Sequence, residues 1–221
     1  MSKILVFDVE TNGLFDYKKR AHEDGQPRMC SLAALLIDSE TRAEMDRVNL
    51  LVKPDGWTND AEHINGLTME RLESDGVSVD LVLRTFDELL DRADVVCGFN
   101  VDFDLKMHRG ECRRAGRPDR YGDVPKLCMM FGSAQALTGK RQIKLTAAVE
   151  QLLDRAHTDA HTAIGDCRAT ADLYFELQSR GQLPEPRRDV PTAQDDAAAT
   201  EATETKPAPQ TAAAGNNDTI F

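Results

Sequence analysis

Asp8 and Glu10 stand in the segment FDVETNG, Asp104 in GFNVDFDL, and His161 with Asp166 in HTAIGDCRAT. The first pair follows an apolar run, Ile4-Leu5-Val6-Phe7, that reads as a buried strand. Residues i and i+2 of a strand share a face, so the two carboxylates point the same way. Carboxylates that close repel, and one of them stays protonated unless a cation lies between them. Hard divalent cations supply that charge and favour oxygen ligands. Metal-assisted chemistry is therefore the first expectation. His161 and Asp166 open a run with helical periodicity. Five helical residues turn through about 500°, which would leave the two side chains roughly 140° apart. A His161 placed just ahead of the helix would instead share one centre with Asp166, the acid as ligand and the imidazole over an attacking water. Asp104 follows the stretch Asp94–Asn100, a strand that breaks into a helix. Such joins are where α/β sheets gather their sites.

The elements that must position these residues follow from the patterning. Strand one covers residues 2–8, and a polar stretch from Phe15 to Pro27 separates it from strand two at Met29–Asp38. Strand three runs over Glu44–Lys53 with partial alternation. The Asn65-Gly66 turn divides two short helical pieces, and Val79–Arg92 is amphipathic through Val79, Leu83, Phe86 and Leu90. Strand four is Val95–Asn100, a helix carries Asp104 on to Arg114, and strand five lies near Val124–Met130. Helices over Leu145–Leu153 and Ala163–Gln178 follow, the second ended by Gly181 and Pro184. Three successive strands, then strands alternating with helices, give an α/β fold on a mixed sheet.

In its three acidic segments the chain resembles the DEDD superfamily of 3′–5′ exonucleases, in the DnaQ-like, histidine-containing branch. The resemblance spans about residues 1–180. The pattern D-x-E-T-x-G is met by Asp8, Glu10, Thr11 and Gly13. The pattern HN-x-x-FD is met by Asn100, Phe103 and Asp104, with Phe99 in place of the usual histidine, and H-x-x-x-x-D by His161 and Asp166. Thr162 stands where the other branch carries a tyrosine. The resemblance implies a ribonuclease-H-like five-stranded sheet, order 3-2-1-4-5, flanked by helices. It implies two Mg²⁺ or Mn²⁺ ions held by Asp8, Glu10, Asp104 and Asp166, with His161 as general base. The implied activity is release of nucleoside monophosphates from single-stranded ends, DNA before RNA. The alternatives are an exoribonuclease of the oligoribonuclease or ribonuclease T type, and a clamp-tethered proofreading subunit. Thr11 to Phe15, Gly13 and Leu14 included, should form the lip under the terminal nucleotide, with Leu14 and Phe15 against its base. For Phe15 a place covering the core competes equally. Asn100 and Phe103 complete the expected substrate contacts, and His63 and His157, outside the motifs, are expected to tolerate alanine.

A net charge of −11 argues against a broad nucleic-acid-binding surface and suits weak binding of short strands. Local basic clusters remain at Lys18-Lys19-Arg20, at Lys106/Arg109/Arg113/Arg114, and at Lys140-Arg141 with Lys144. The last is the first choice for a phosphate contact. The five cysteines are odd in number and form no CxxC pair, which points to buried free thiols in a reducing compartment. The longest apolar stretch, Leu32–Ile37, is too short to span a bilayer, so no membrane association is expected. Met1-Ser2-Lys3 leads straight into strand one, and a cytoplasmic protein is expected.

Residues 1–183 are expected to form the exonuclease domain. Over 184–215, Pro, Ala, Thr, Asp and Glu dominate, a composition too poor in apolar residues to fold, and a disordered linker is expected. Residues 216–221 form a candidate docking peptide, since Asn217-Asp218-Thr219-Ile220-Phe221 loosely resembles two bacterial motifs. These are the sliding-clamp motif and the end of single-stranded DNA-binding proteins. A clamp or such a binding protein is the candidate partner.

Overall fold

The structure, a computed structural model, describes residues 2–118, 120 and 124–188. Three antiparallel strands come first: β1 (Lys3–Thr11), β2 (Met29–Asp38) and β3 (Glu44–Leu51). Helices α1 (Glu62–Asn65), α2 (Met69–Asp75) and α3 (Val79–Leu90) follow. Thr68 and Ser78 cap the last two by accepting from the amides of Arg71 and Leu81, which satisfies otherwise orphaned N–H groups. Strand β4 (Val95–Gly98) lies parallel to β1 and turns at once into α4 (Val101–Arg114). Strand β5 (Lys126–Cys128) is parallel to β4, and α5 (Met129–Thr138), α6 (Leu145–Leu153) and α7 (Ala163–Ser179) complete the fold.

The strand order is β3-β2-β1-β4-β5, the mixed ribonuclease-H-like sheet that the motifs imply. Strict alternation along β1 divides the core. Leu5, Phe7 and Val9 pack with Val82, Phe86 and Leu105 of α3 and α4, whereas Ile4 and Val6 pack with Val149, Cys167 and Leu173 of α6 and α7. By the same alternation Asp8 and Glu10 fall on the α7 face. The first half of α7 buries small residues there, Gly165, Cys167, Ala169 and Ala171. They let the helix approach closely enough for Cys167 Sγ to lie 3.2 Å from the Ala33 carbonyl on β2.

Two differences from the sequence reading have plain causes. Helix α5 is unexpected: its residues extend an apolar strand, and a short apolar run does not reveal its period. Within the linker expected from residue 184, Arg187 exchanges both backbone hydrogen bonds with Lys126 (2.7 and 3.0 Å) and extends the β5 edge. Backbone pairing of that kind leaves no mark on composition. The candidate docking peptide at 216–221 lies outside the described residues. Among the described residues all five cysteines are free and buried, and no helix is long and apolar enough to cross a membrane.

Candidate active site

The pairing of β1 with β2 shifts register between Glu10 and Thr11, and the chain then leaves the sheet as a lip. Asn12 fixes it from both sides. Its amide donates to the Thr58 carbonyl (2.8 Å), and its carbonyl oxygen accepts from the Arg28 amide (2.7 Å). Thr11 Oγ1 donates to the Gly13 carbonyl at 2.7 Å, and Asn65 holds the Thr11 carbonyl at 3.1 Å. The lip is therefore prearranged, with Leu14 projecting from it, 86% exposed.

Carboxylate oxygens of Asp8, Glu10 and Asp166 lie within 4.8 Å of one another. Asp104, in the first turn of α4 and only 4% exposed, joins from the other side of β1, where its Oδ1 accepts from the Val9 amide at 3.1 Å. Among the described residues no lysine or arginine forms a salt bridge with any of the four. Burial, then repulsion from Asp104, Asp166 and Glu10, pushes the Asp8 carboxyl well above the usual range. Burial is also the main reason that Asp104 is pushed up to about 8 and Glu10 to about 7. Asp166 is raised chiefly by burial and held back by His157 and His161. Four acids gathered at one point and resisting ionisation form an all-oxygen donor set that a divalent cation would relieve. The donor set fits such ions.

His161 sits ahead of α7, the arrangement that lets it share a centre with Asp166. Thr162 caps the helix by accepting from the Gly165 amide (3.2 Å) and donates to the Asp159 carbonyl (2.8 Å). A side chain at Gly165 would begin 2.2 Å from that same carbonyl, so only glycine admits the loop over the first turn. The result is an exposed His161 with φ of 64°, a left-handed conformation that few non-glycine residues adopt without cause. His157 is nearer to the acid. Its Nε2 donates to Asp166 Oδ1 at 2.6 Å, and its side chain is 3% exposed. His157 lies outside the three sequence motifs, and the contact revises the expectation that it tolerates alanine. The only cue was its place four residues before His161, in the same loop.

The remaining expected residues divide. Thr11, Gly13 and Leu14 form the lip. Phe15 takes the covering role: it is 6% exposed and packs edge-on against Phe103, ring centroids 5.4 Å apart. Phe103 is half-buried beside Asp104, and Asn100 is exposed at the start of α4 without a side-chain capping bond. Lys140, Arg141 and Lys144 lie between α5 and α6, ahead of the helix that packs on α7.

A mixed sheet that brings the half-buried Asp8, Glu10 and Asp166 together with the buried Asp104 and the exposed His161, near the ends of β1 and β4, defines a hydrolase site of the ribonuclease-H-like class. The family is narrower. A family model for exonucleases, RNase_T, matches residues 5–174, and the chain belongs to that family, in its histidine-containing DEDD branch. No curated protein matches. Among solved structures, Escherichia coli Exonuclease I in complex with a dT13 oligonucleotide is similar at TM-score 0.67 and 20% identity, over 81% of this chain. The chain spans 42% of that protein's length. The nuclease domain of 3′hExo bound to rAMP is similar at TM-score 0.68 and 13% identity, covering 86% of this chain and 98% of that one. At these identities the likeness is one of fold.

Proposed function

We propose that this chain is a metal-dependent 3′–5′ exonuclease that releases nucleoside monophosphates from single-stranded DNA ends. The observation that carries the reading is the convergence of Asp8, Glu10 and Asp166 oxygens within 4.8 Å, with Asp104 alongside. Asp8, Glu10, Asp104 and Asp166 would hold Mg²⁺ or Mn²⁺, two ions in the proposed form. Such ions, when bound, lower the pKa of an attacking water and stabilise the departing 3′ oxygen. The chain's own residues do the rest. His161 takes the water's proton as the oxygen attacks phosphorus and the bond to the 3′ oxygen breaks. His157, through its hydrogen bond, keeps Asp166 turned toward the other acids. The fixed lip at Thr11–Leu14 seats the terminal nucleotide, with Leu14 against its base.

Complexes of Exonuclease I with dT13 and dA16 support the DNA reading. The 3′hExo complex with rAMP, and the near-complete coverage of that domain, favour RNA as the second reading. Matched DNA and RNA oligonucleotides carrying a 5′ label, digested with Mg²⁺, decide between them. The proposal expects faster shortening of DNA. Shortening of RNA alone would replace it by the exoribonuclease reading. Docking of residues 217–221 on a sliding clamp or a single-stranded DNA-binding protein rests on the sequence alone.

A further inference from the structure

The polar stretch after the lip is a built platform. Gln26, 5% exposed, accepts from the Asp16 amide (3.0 Å) and donates to the carbonyls of Asp16, Lys19 and Arg20 (2.8, 3.2 and 3.1 Å). Below it lies α4. A Cβ at Gly110 would stand 2.8 Å from the Ala21 carbonyl oxygen, so the loop rests directly on the helix, and Arg114 donates to that same oxygen at 2.8 Å. On this platform stands Tyr17, 73% exposed. The Lys106 ammonium lies 4.2 Å from the centre of its ring and 4.6 Å from that of Phe15. Phe15 in turn packs on Phe103, the neighbour of Asp104. A continuous row of rings and one cation thus leads from the acidic centre to an open aromatic face.

The surroundings carry the charge that a nucleic-acid strand needs. Lys106 of α4 reaches the loop at Tyr17, which is followed in sequence by Lys18 and Lys19. Both Arg113 of the helix and Arg20 of the loop act electrostatically on His22, so two basic clusters far apart in sequence meet here. Asp16, Glu23 and Asp24 are interspersed, with Asp16 and Glu23 bonded to the loop's own amides at Lys18 and Arg20. On a chain of net charge −11 this is a local basic surface contiguous with the lip.

We propose that Tyr17, backed by Lys106, is a stacking ledge for an upstream base of a single-stranded nucleic acid whose 3′ end lies among the acids, with the neighbouring lysines beside its phosphates. The ledge rests on the exonuclease reading. Each ring of a base has a π-face, so such a ledge holds a strand without regard to sequence. A cation on one face of the tyrosine leaves the other for the base, and binding weakens as salt rises.

The test compares two substrates on the full chain. One is the 4-nitrophenyl ester of thymidine 5′-monophosphate, which fills only the terminal position. The other is a single-stranded hexanucleotide. Tyr17→Ala should raise KM for the hexanucleotide roughly tenfold, as expected for one lost stacking contact, with kcat unchanged. Tyr17→Phe should restore it, and neither should alter cleavage of the nitrophenyl ester. Fluorescence anisotropy of a labelled hexanucleotide in Ca²⁺ should show the same loss of affinity. An unchanged KM and affinity in Tyr17→Ala, in a wild type that degrades the hexanucleotide, would overturn the ledge and leave the nuclease standing. An equal loss on both substrates would also overturn it. A wild type that degrades neither removes the exonuclease reading and the ledge with it.

Discussion

Replacing Asp104 by Asn should stabilise the metal-free protein, and increasingly so as pH rises. Asparagine copies the protonated acid and keeps the oxygen that accepts from the Val9 amide. In the wild type, burial raises the Asp104 carboxyl from 3.8 to about 8. A group raised on folding contributes stability that is complete below its unfolded pKa and is lost as pH climbs to its folded one. The loss therefore runs from about pH 4 to pH 8. At roughly 1.4 kcal/mol for each pH unit of that gap, the difference between variant and wild type reaches about 5 kcal/mol by pH 8. For a domain of this size that is about 10–20 °C in Tm. His108, whose pKa burial lowers to about 3, has the opposite sign below its unfolded value but acts equally in both proteins. Urea unfolding of both in EDTA, from pH 4.5 to 8, reads the difference directly. Curves that stay parallel over that range would refute the reasoning. Mg²⁺ should recover the wild type's loss at pH 8 and leave Asp104→Asn little changed.

His157→Ala should weaken Mn²⁺ binding about 10- to 100-fold, as expected when the partner of a ligating carboxylate is removed, and His157→Gln should recover part of it; isothermal calorimetry measures both. His161→Ala should lower kcat by about 10²–10⁴ with KM unchanged, read from steady-state rates on a short DNA strand. Gly165→Ala should cost on the order of 1–3 kcal/mol in urea unfolding, or more, because the new methyl meets the Asp159 carbonyl and the loop bearing His161 must shift.

The sheet and the acids were legible because period-two alternation both buries Ile4 to Phe7 and turns Asp8 and Glu10 to one face. The caps at Thr68, Ser78 and Thr162 follow local rules as well. What the sequence hid was contact between segments with no common period. His157 meets Asp166 only because Gly165 lets the Asp159–Thr162 loop fold back over α7. Phe15 could be read as a lip or a core residue, and its packing on Phe103 depends on how the 12–28 loop lies over α4. The same docking joins the Lys18–Arg20 cluster to that of α4, which sequence separation kept apart. Phe99, in place of a histidine, is half-buried and packs against the core on the α7 side of the sheet, and its carbonyl accepts from the Met130 amide at 2.8 Å.

The most direct measurement follows a 5′-labelled single-stranded DNA with wild type and with Asp8→Ala, in Mg²⁺ and in EDTA. A ladder that shortens one nucleotide at a time from the 3′ end, seen with wild type in Mg²⁺ and abolished by EDTA or by Asp8→Ala, is the predicted result. Undiminished shortening in Asp8→Ala, or in EDTA, would contradict a reaction centred on the four acids.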